Sequence, residues 1–262
     1  MSEQIQGAHA THFFYGGNFG VKQLHRHDYG QKFHSKRLQD FFSCSLGISP
    51  AHTFPVEPIQ IPDTLGALLL PECTLFPHGA LPLHIFEPRY RQMLTEAVEG
   101  SCVFCIGTLT TTETADLETC TAPVGTAGLI RASREDHEGR SNLLLHGLCR
   151  VRFVEWLGEK PFPYARVRPV KSTPLEESAS GERTRSLREA VEAILLGLPD
   201  EIVSEVRKIL DRAPEPEVMA DAVSQQFVQD SDVRQALLEE QSVSQRISKL
   251  VDYLRTVRSE DN

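Results

Sequence analysis

No run in this chain approaches the roughly 18 consecutive apolar residues that a membrane-spanning helix needs. Residues 1–10 are polar, without the cationic start and apolar stretch of a secretory leader. The cytoplasm is the expected compartment. Positive charge is short as well, with 27 Lys and Arg against 36 Asp and Glu and a formal net charge of -9. That balance argues against general binding to nucleic acid or anionic membrane, which needs cations to neutralise phosphates. Cysteine is sparse, six in 262 residues, which excludes a disulfide scaffold. Catalytic signatures are missing too. There is no Gly-x-x-x-x-Gly-Lys-[Ser/Thr] loop to cradle phosphates and no Gly-x-Ser-x-Gly elbow. His84-x-x-Glu87 is not the His-Glu-x-x-His of zinc peptidases, and no Cys has an evident His partner. The expectation is a protein that is not an enzyme.

At 40% hydrophobic and 24% charged, the chain has the composition of a soluble globular protein. Its length suits one large domain or two modest ones with real cores. Cys102-Val103-Phe104-Cys105 has the C-x-x-C form, but only isolated Cys120 and Cys149 follow, and zinc wants a second pair. Side chains at i and i+3 of a strand point to opposite faces, so buried structural thiols are expected, with no metal or cofactor. Residues 1–57 hold His9, His12, His25, His27, His34 and His52, densest around Leu24-His25-Arg26-His27-Asp28. A metal-binding tract needs fixed geometry and supporting partners. A poorly ordered extension, or a start assigned too far upstream, is the simpler reading.

From residue 59 to about 171 the pattern is β-rich. Runs at 65–70, 102–108, 125–130, 143–148, 150–157 and 164–170 are apolar or alternating and bounded by turn residues. One helix is inserted. In Leu81-Pro82-Leu83-His84-Ile85-Phe86-Glu87-Pro88-Arg89-Tyr90-Arg91-Gln92-Met93-Leu94, a short strand runs into a turn and a helix start. Pro88 suits the first helical turn, and Glu87 suits the positive end of the helix dipole. Tyr90, Met93, Leu94, Ala97 and Val98 then share one face, with Gly100 placed to end the helix. Residues 172–181 are small and polar and read as a linker. Beyond them the period turns helical. Leu187, Val191, Ile194, Leu195 and Leu198 share a face, as do Ile202, Val206, Ile209 and Leu210. A third helix falls between 216 and 228. The last begins with Ser242 and Gln245 in capping-box spacing and carries Val243, Ile247, Leu250, Val251 and Leu254.

The segment from Leu81 to Leu94 resembles the signature of the Lon protease amino-terminal domain. The resemblance continues in order through Val124-Gly125-Thr126-Ala127-Gly128-Leu129-Ile130 and the glycine-punctuated stretch 139–153. It goes on through Pro163-Tyr164-Ala165-Arg166-Val167 and the helical pieces 234–239 and 243–247. It implies an α+β fold: a β-rich, PUA-like, partly closed sheet with one inserted helix, followed by a C-terminal α-helical bundle. The expected organisation is an extension at 1–57, the sheet domain at 58–171, a linker at 172–181 and the helical domain at 182–262. A full Lon protease carries an ATPase and a serine–lysine protease after this domain. The resemblance implies a free-standing, non-catalytic module that recognises polypeptide clients or docks to a protease or chaperone. An adaptor for a separate protease or ligase is an alternative, and so is RNA binding, known among PUA-like folds. Nucleic acid is disfavoured by the net acidity.

Strand alternation suggests a surface. Val151, Phe153 and Leu157 fall on one face of the first strand, and Ala165 and Val167 on one face of the second. The opposite faces carry Arg150, Arg152, Val154 and Trp156, then Tyr164, Arg166 and Arg168. If these strands pair, four arginines flank the only tryptophan and a tyrosine, a surface for acidic or aromatic groups of a peptide. A bulge at Gly147 or Gly158 would break the parity.

Overall fold

The computed structural model describes residues 60–213 and 215–260. The histidine-rich extension expected at 1–57 lies outside them. Six strands form one mixed sheet: β1 (Thr64–Pro71), β2 (Ala80–Ile85), β3 (Val103–Leu109), β4 (Val124–Glu135), β5 (Ser141–Leu157) and β6 (Tyr164–Pro169). Their order is β2-β5-β4-β3-β1-β6, and β6 pairs again with β5. Strands β5, β4, β3, β1 and β6 therefore close a ring, with β2 added outside the first half of β5. The β1–β3 pair is parallel and the other pairs are antiparallel.

Alternation sorts the core into two layers. Leu65, Ala67, Leu69, Val103, Cys105, Ala127, Val151, Ala165 and Val167 draw on all five ring strands and fill its interior. Four of these nine are Ala or Cys, because a ring of five strands leaves little width for larger side chains. Leu68, Leu70, Phe104, Ile106, Leu143 and Leu145 point outward and are covered by α1 (Pro88–Glu99) through Tyr90, Met93 and Leu94. Pro88 opens that helix and Gly100 caps it, as the spacing predicts. Glu87 is its N-cap residue, but its side chain bonds no helical N–H and instead pairs with Arg89 at 3.0 Å.

The runs at 143–148 and 150–157 are one strand of 17 residues, not two. Gly147 does not reverse the chain. A Cβ there would lie 2.2 Å from the Phe76 carbonyl oxygen, so only glycine lets the loop at 72–79 cross so closely. The strand absorbs Leu148 as an extra residue between the Ala127–Cys149 and Gly128–Gly147 rungs. The chain reverses earlier, between β4 and β5, at a turn where Gly139 has φ +75° and Asp136 accepts from the N–H groups of Glu138 and Arg140. A single-turn helix, α2 (Leu117–Cys120), also sits between β3 and β4, capped by Asp116. It is a second helical insertion where one was expected, and too short to show a 3.6-residue period.

Five helices follow: α3 (Glu177–Ile194), α4 (Asp200–Arg212), α5 (Pro216–Phe227), α6 (Ser231–Glu239) and α7 (Val243–Glu260). Residues 177–181 of the expected linker are helical, since Ser and Ala are tolerated well in a first turn and Glu177 suits its dipole. The preceding residues are tied down. Thr173 N–H donates to Gln241 O at 2.8 Å, and its carbonyl accepts from Val243 N–H at 3.1 Å. Asp230 caps α6 by accepting from Asp232 and Val233 N–H. Ser242 Oγ accepts from Gln245 N–H at 3.4 Å at the start of α7, one half of the expected capping box.

The sheet and the helices share one core. Phe76, fully buried in the loop at 72–79, joins the apolar residues of the bundle, with the Arg234 guanidinium 5.4 Å from its ring. Arg234 also donates to Thr74 O at 2.5 Å, while Gln225 Oε1 accepts from Phe76 N–H at 2.9 Å. Beside this knob lies an ionic cluster. Arg150 of β5 donates to both oxygens of Asp221 on α5 at 2.8 and 2.6 Å, and to Leu238 O at 2.9 Å. Arg246 of α7 donates to Asp221 at 3.1 Å and to Glu240 O at 2.8 Å. Asp221 and Arg246 are 0% exposed and Arg150 is 2% exposed. The guanidiniums thereby satisfy carbonyls at the C-terminal end of α6, where no further helical N–H is available. Burial lowers the pKa of Arg246, and Asp221 works against that shift. Removing the carboxylate leaves the two buried cations with only the longer contacts to the half-exposed Glu217, at 3.9 and 3.7 Å, so Asp221→Ala is expected to cost about 3 kcal/mol in urea unfolding. A loss below about 1 kcal/mol would show that water reaches the pair.

Candidate functional site

The β5–β6 hairpin carries all six residues of the expected surface and divides them. Arg152 pairs with Arg168 and Phe153 with Val167; then Val154 is passed over, so Glu155 pairs with Arg166 and Trp156 with Ala165. This bulge, in mid-strand and away from any glycine, reverses the parity beyond it. Trp156 therefore turns inward, packs on the ring core and stacks on Phe153 at 4.9 Å. Tyr164 belongs to the opposite layer. Its hydroxyl donates to Thr64 Oγ1 at 2.8 Å and its ring meets Phe162 edge-on at 6.2 Å. Arg150 is withdrawn under the helices, as described. Arg150 is buried and Trp156 turns inward, half-buried, which corrects the exposed face that simple alternation suggests for them; Tyr164 stays on the side of Arg166 and Arg168, half-buried against Phe162.

What stays outside is an arginine face. Arg152, Arg166 and Arg168 are exposed. Residues 166 and 168 share a side of β6, and Arg152 stands directly across from Arg168. Arg166 Nε lies 3.2 Å from Glu155 Oε2. The side chains of Arg152 and Arg168 have no ion pair or hydrogen bond with another described residue. Val154, 44% exposed at the bulge, is the apolar member of the patch. Alternation places it on this outer face, and the bulge keeps it there.

Burial pushes the Cys73 thiol up to about 11, with Arg234 opposing, and raises Cys105 and Cys149 as well. Thiols held protonated are poor nucleophiles and poor metal ligands. The two cysteines of the C-x-x-C separate: Cys102, at φ 58°, precedes β3 and donates to Val98 O at 3.7 Å, while Cys105 lies inside the ring. Among the described residues no group of three His, Cys, Asp or Glu is placed to hold a metal ion. His84 bonds Asn142 at 2.9 Å and Glu87 pairs with Arg89, so the two face different partners. Among the described residues no helix is long and apolar enough to cross a membrane.

Comparison with known families decides the relationship. The model of the ATP-dependent protease La (LON) substrate-binding domain matches residues 64–256. The chain belongs to this family. Among its LON relatives, the Lon protease of Trichlorobacter lovleyi is 26% identical over 200 residues, covering 76% of this chain and 24% of that protein. Lon protease homolog 2, peroxisomal, of Mus musculus is 29% identical over 178 residues, covering 61% of this chain and 21% of that protein. The chain thus spans about a quarter of the length of the curated relatives it matches. In solved structures the LON fold recurs in the N-terminal domain of Mycobacterium avium complex Lon protease. There the TM-score is 0.58 at 16% identity, covering 73% of this chain and 98% of that one. The Lon N-terminal domain protein from Xanthomonas campestris gives 0.52 at 18%, covering 72% and 98%. At these identities the likeness speaks for the fold.

Two outcomes follow for the LON sheet. Trp156→Ala should lower stability by about 2 kcal/mol, less than a fully buried tryptophan, whereas Arg168→Ala should change it by under about 0.5 kcal/mol. Equal midpoints in urea would return the indole to the surface. The pKa of His146, half-buried on β5, is lowered by burial first and by Arg131 and His78 after it. The unfolded chain then binds a proton more readily, so this group's contribution is complete above roughly 6.5 and fades as pH falls below it. His146→Gln should flatten that part of the stability–pH curve; an unchanged slope would show that the imidazole titrates as it does in the unfolded chain.

Proposed function

We propose that the matched residues form a non-catalytic module that captures polypeptides. The observation that carries this reading is the LON substrate-binding match across residues 64–256, joined to an exposed arginine and valine face on the β5–β6 hairpin. In this reading the sheet domain at 58–171 presents the surface, and the helical domain at 182–262 holds it rigid through Phe76 and Asp221. Weak, non-covalent contacts serve such a role. Clients are unfolded or degradation-bound chains, handed to a separate protease, chaperone or ligase.

RNA binding is the second reading, and the same arginine face favours it. Against it stands the net charge of -9, which repels a polyanion over its whole length. A direct comparison tests both. Immobilised full-length chain is offered a permanently unfolded, alkylated protein, the native form of that protein, and a single-stranded RNA. Capture of the unfolded protein in preference to its native form, unchanged by ATP, is the expected result. Equal indifference to both forms, or RNA capture that collapses steeply with salt, would end the polypeptide reading.

A further inference from the structure

The row of arginines on the outer face of the hairpin is unevenly neutralised. Arg150 gives its charge to Asp221, and Arg166 has Glu155. Between them, Arg152 and Arg168 occupy one rung of the ladder and face each other directly. Like charges opposite one another across a strand pair destabilise the sheet. Carboxylates are abundant in this chain, 36 in all, yet no described one forms an ion pair with Arg152 or Arg168; the neighbouring Glu155 pairs with Arg166. The rung keeps a local repulsion that a single Glu at either position would remove.

We infer that Arg152 and Arg168 form a carboxylate-binding clamp that selects acidic segments of the polypeptides this module captures. The inference rests on the polypeptide reading and names the client chemistry. A Glu or Asp side chain laid across the rung accepts charge-assisted hydrogen bonds from both guanidiniums and cancels their repulsion. Val154 offers an apolar contact beside the charges. A short acidic segment meets mainly this local field, whereas a long polyanion also meets the repulsion of the whole chain.

The test uses the full chain and three fluorescent probes: an unstructured peptide of Glu, Gly and Ser, its isosteric counterpart with Gln for Glu, and a single-stranded RNA. Anisotropy should show the Glu peptide bound at least tenfold more tightly than the Gln peptide, with the preference falling as salt rises. Arg152→Glu and Arg168→Glu, made singly, should each abolish the preference while leaving Tm unchanged or higher, because each replaces a repulsive rung with an attractive one. Arg152→Ala serves as the milder variant and should reduce the preference without reversing it. Equal affinity for the two peptides overturns the clamp, and so does a preference that survives both Glu variants. RNA bound more tightly than the Glu peptide overturns it as well. The general reading is judged separately: an unfolded protein still captured while Glu and Gln peptides bind alike leaves polypeptide capture standing without the clamp. Loss of every interaction removes both.

Discussion

Two guanidiniums from distant parts of the chain, Arg150 on β5 and Arg246 on α7, meet on one wholly buried carboxylate, Asp221. An ion pair in such a place gains little net stability over apolar packing, because each charge loses its water. It does impose geometry. An apolar contact can slide, whereas a carboxylate shared by two planar donors fixes the angle and register of everything attached to them. Through this cluster the ring sheet, the strap at 172–173 and the helices α5, α6 and α7 hold one arrangement. Arg150 is spent inside it, and the exposed part of the arginine row begins only at Arg152.

The loop at 72–79 makes the same junction from the other side. Phe76 leaves the sheet and sits in the bundle's apolar core, under Arg234. Its carbonyl crowds Gly147, while Thr126 and Thr108 bond the Leu75 and Cys73 carbonyls behind it. The buried backbone of this loop therefore has partners on both sides, which such a loop requires. A sheet braced in this way presents a fixed outer surface.

Much of the fold was legible locally. Pro88, the stripe of Tyr90, Met93 and Leu94, and Gly100 state a helix and its ends. The period-two runs state strands, and Ser242 with Gln245 states the start of α7. Of the candidate surface, alternation placed Arg152, Val154, Arg166 and Arg168 outside as found, and missed the inward turn of Trp156 and the covering of Arg150. The bulge at Val154 follows from closing β5 and β6 into a ring, a demand made by the whole sheet, and no glycine marks it. One signal for the ionic cluster was present. Arg246 falls three residues after Val243 on the apolar stripe of α7, and Asp221 falls among Met219, Ala220 and Val223 on that of α5. Charges at core positions of two helices ask for each other.

Periodicity, capping residues and turn chemistry act over a few residues, so the sequence by itself determined the elements, their class and the family resemblance. Which side chains face water was decided by tertiary structure. Strand parity survives only until the ladder inserts a residue, and burial depends on what is laid over a face. Trp156 went inward at a bulge, Tyr164 joined the layer under α1, and Arg150 was claimed by a carboxylate 71 residues away. Arg152 and Arg168 stayed outside because the ring set them on one rung and no part of the described chain reached across to neutralise them.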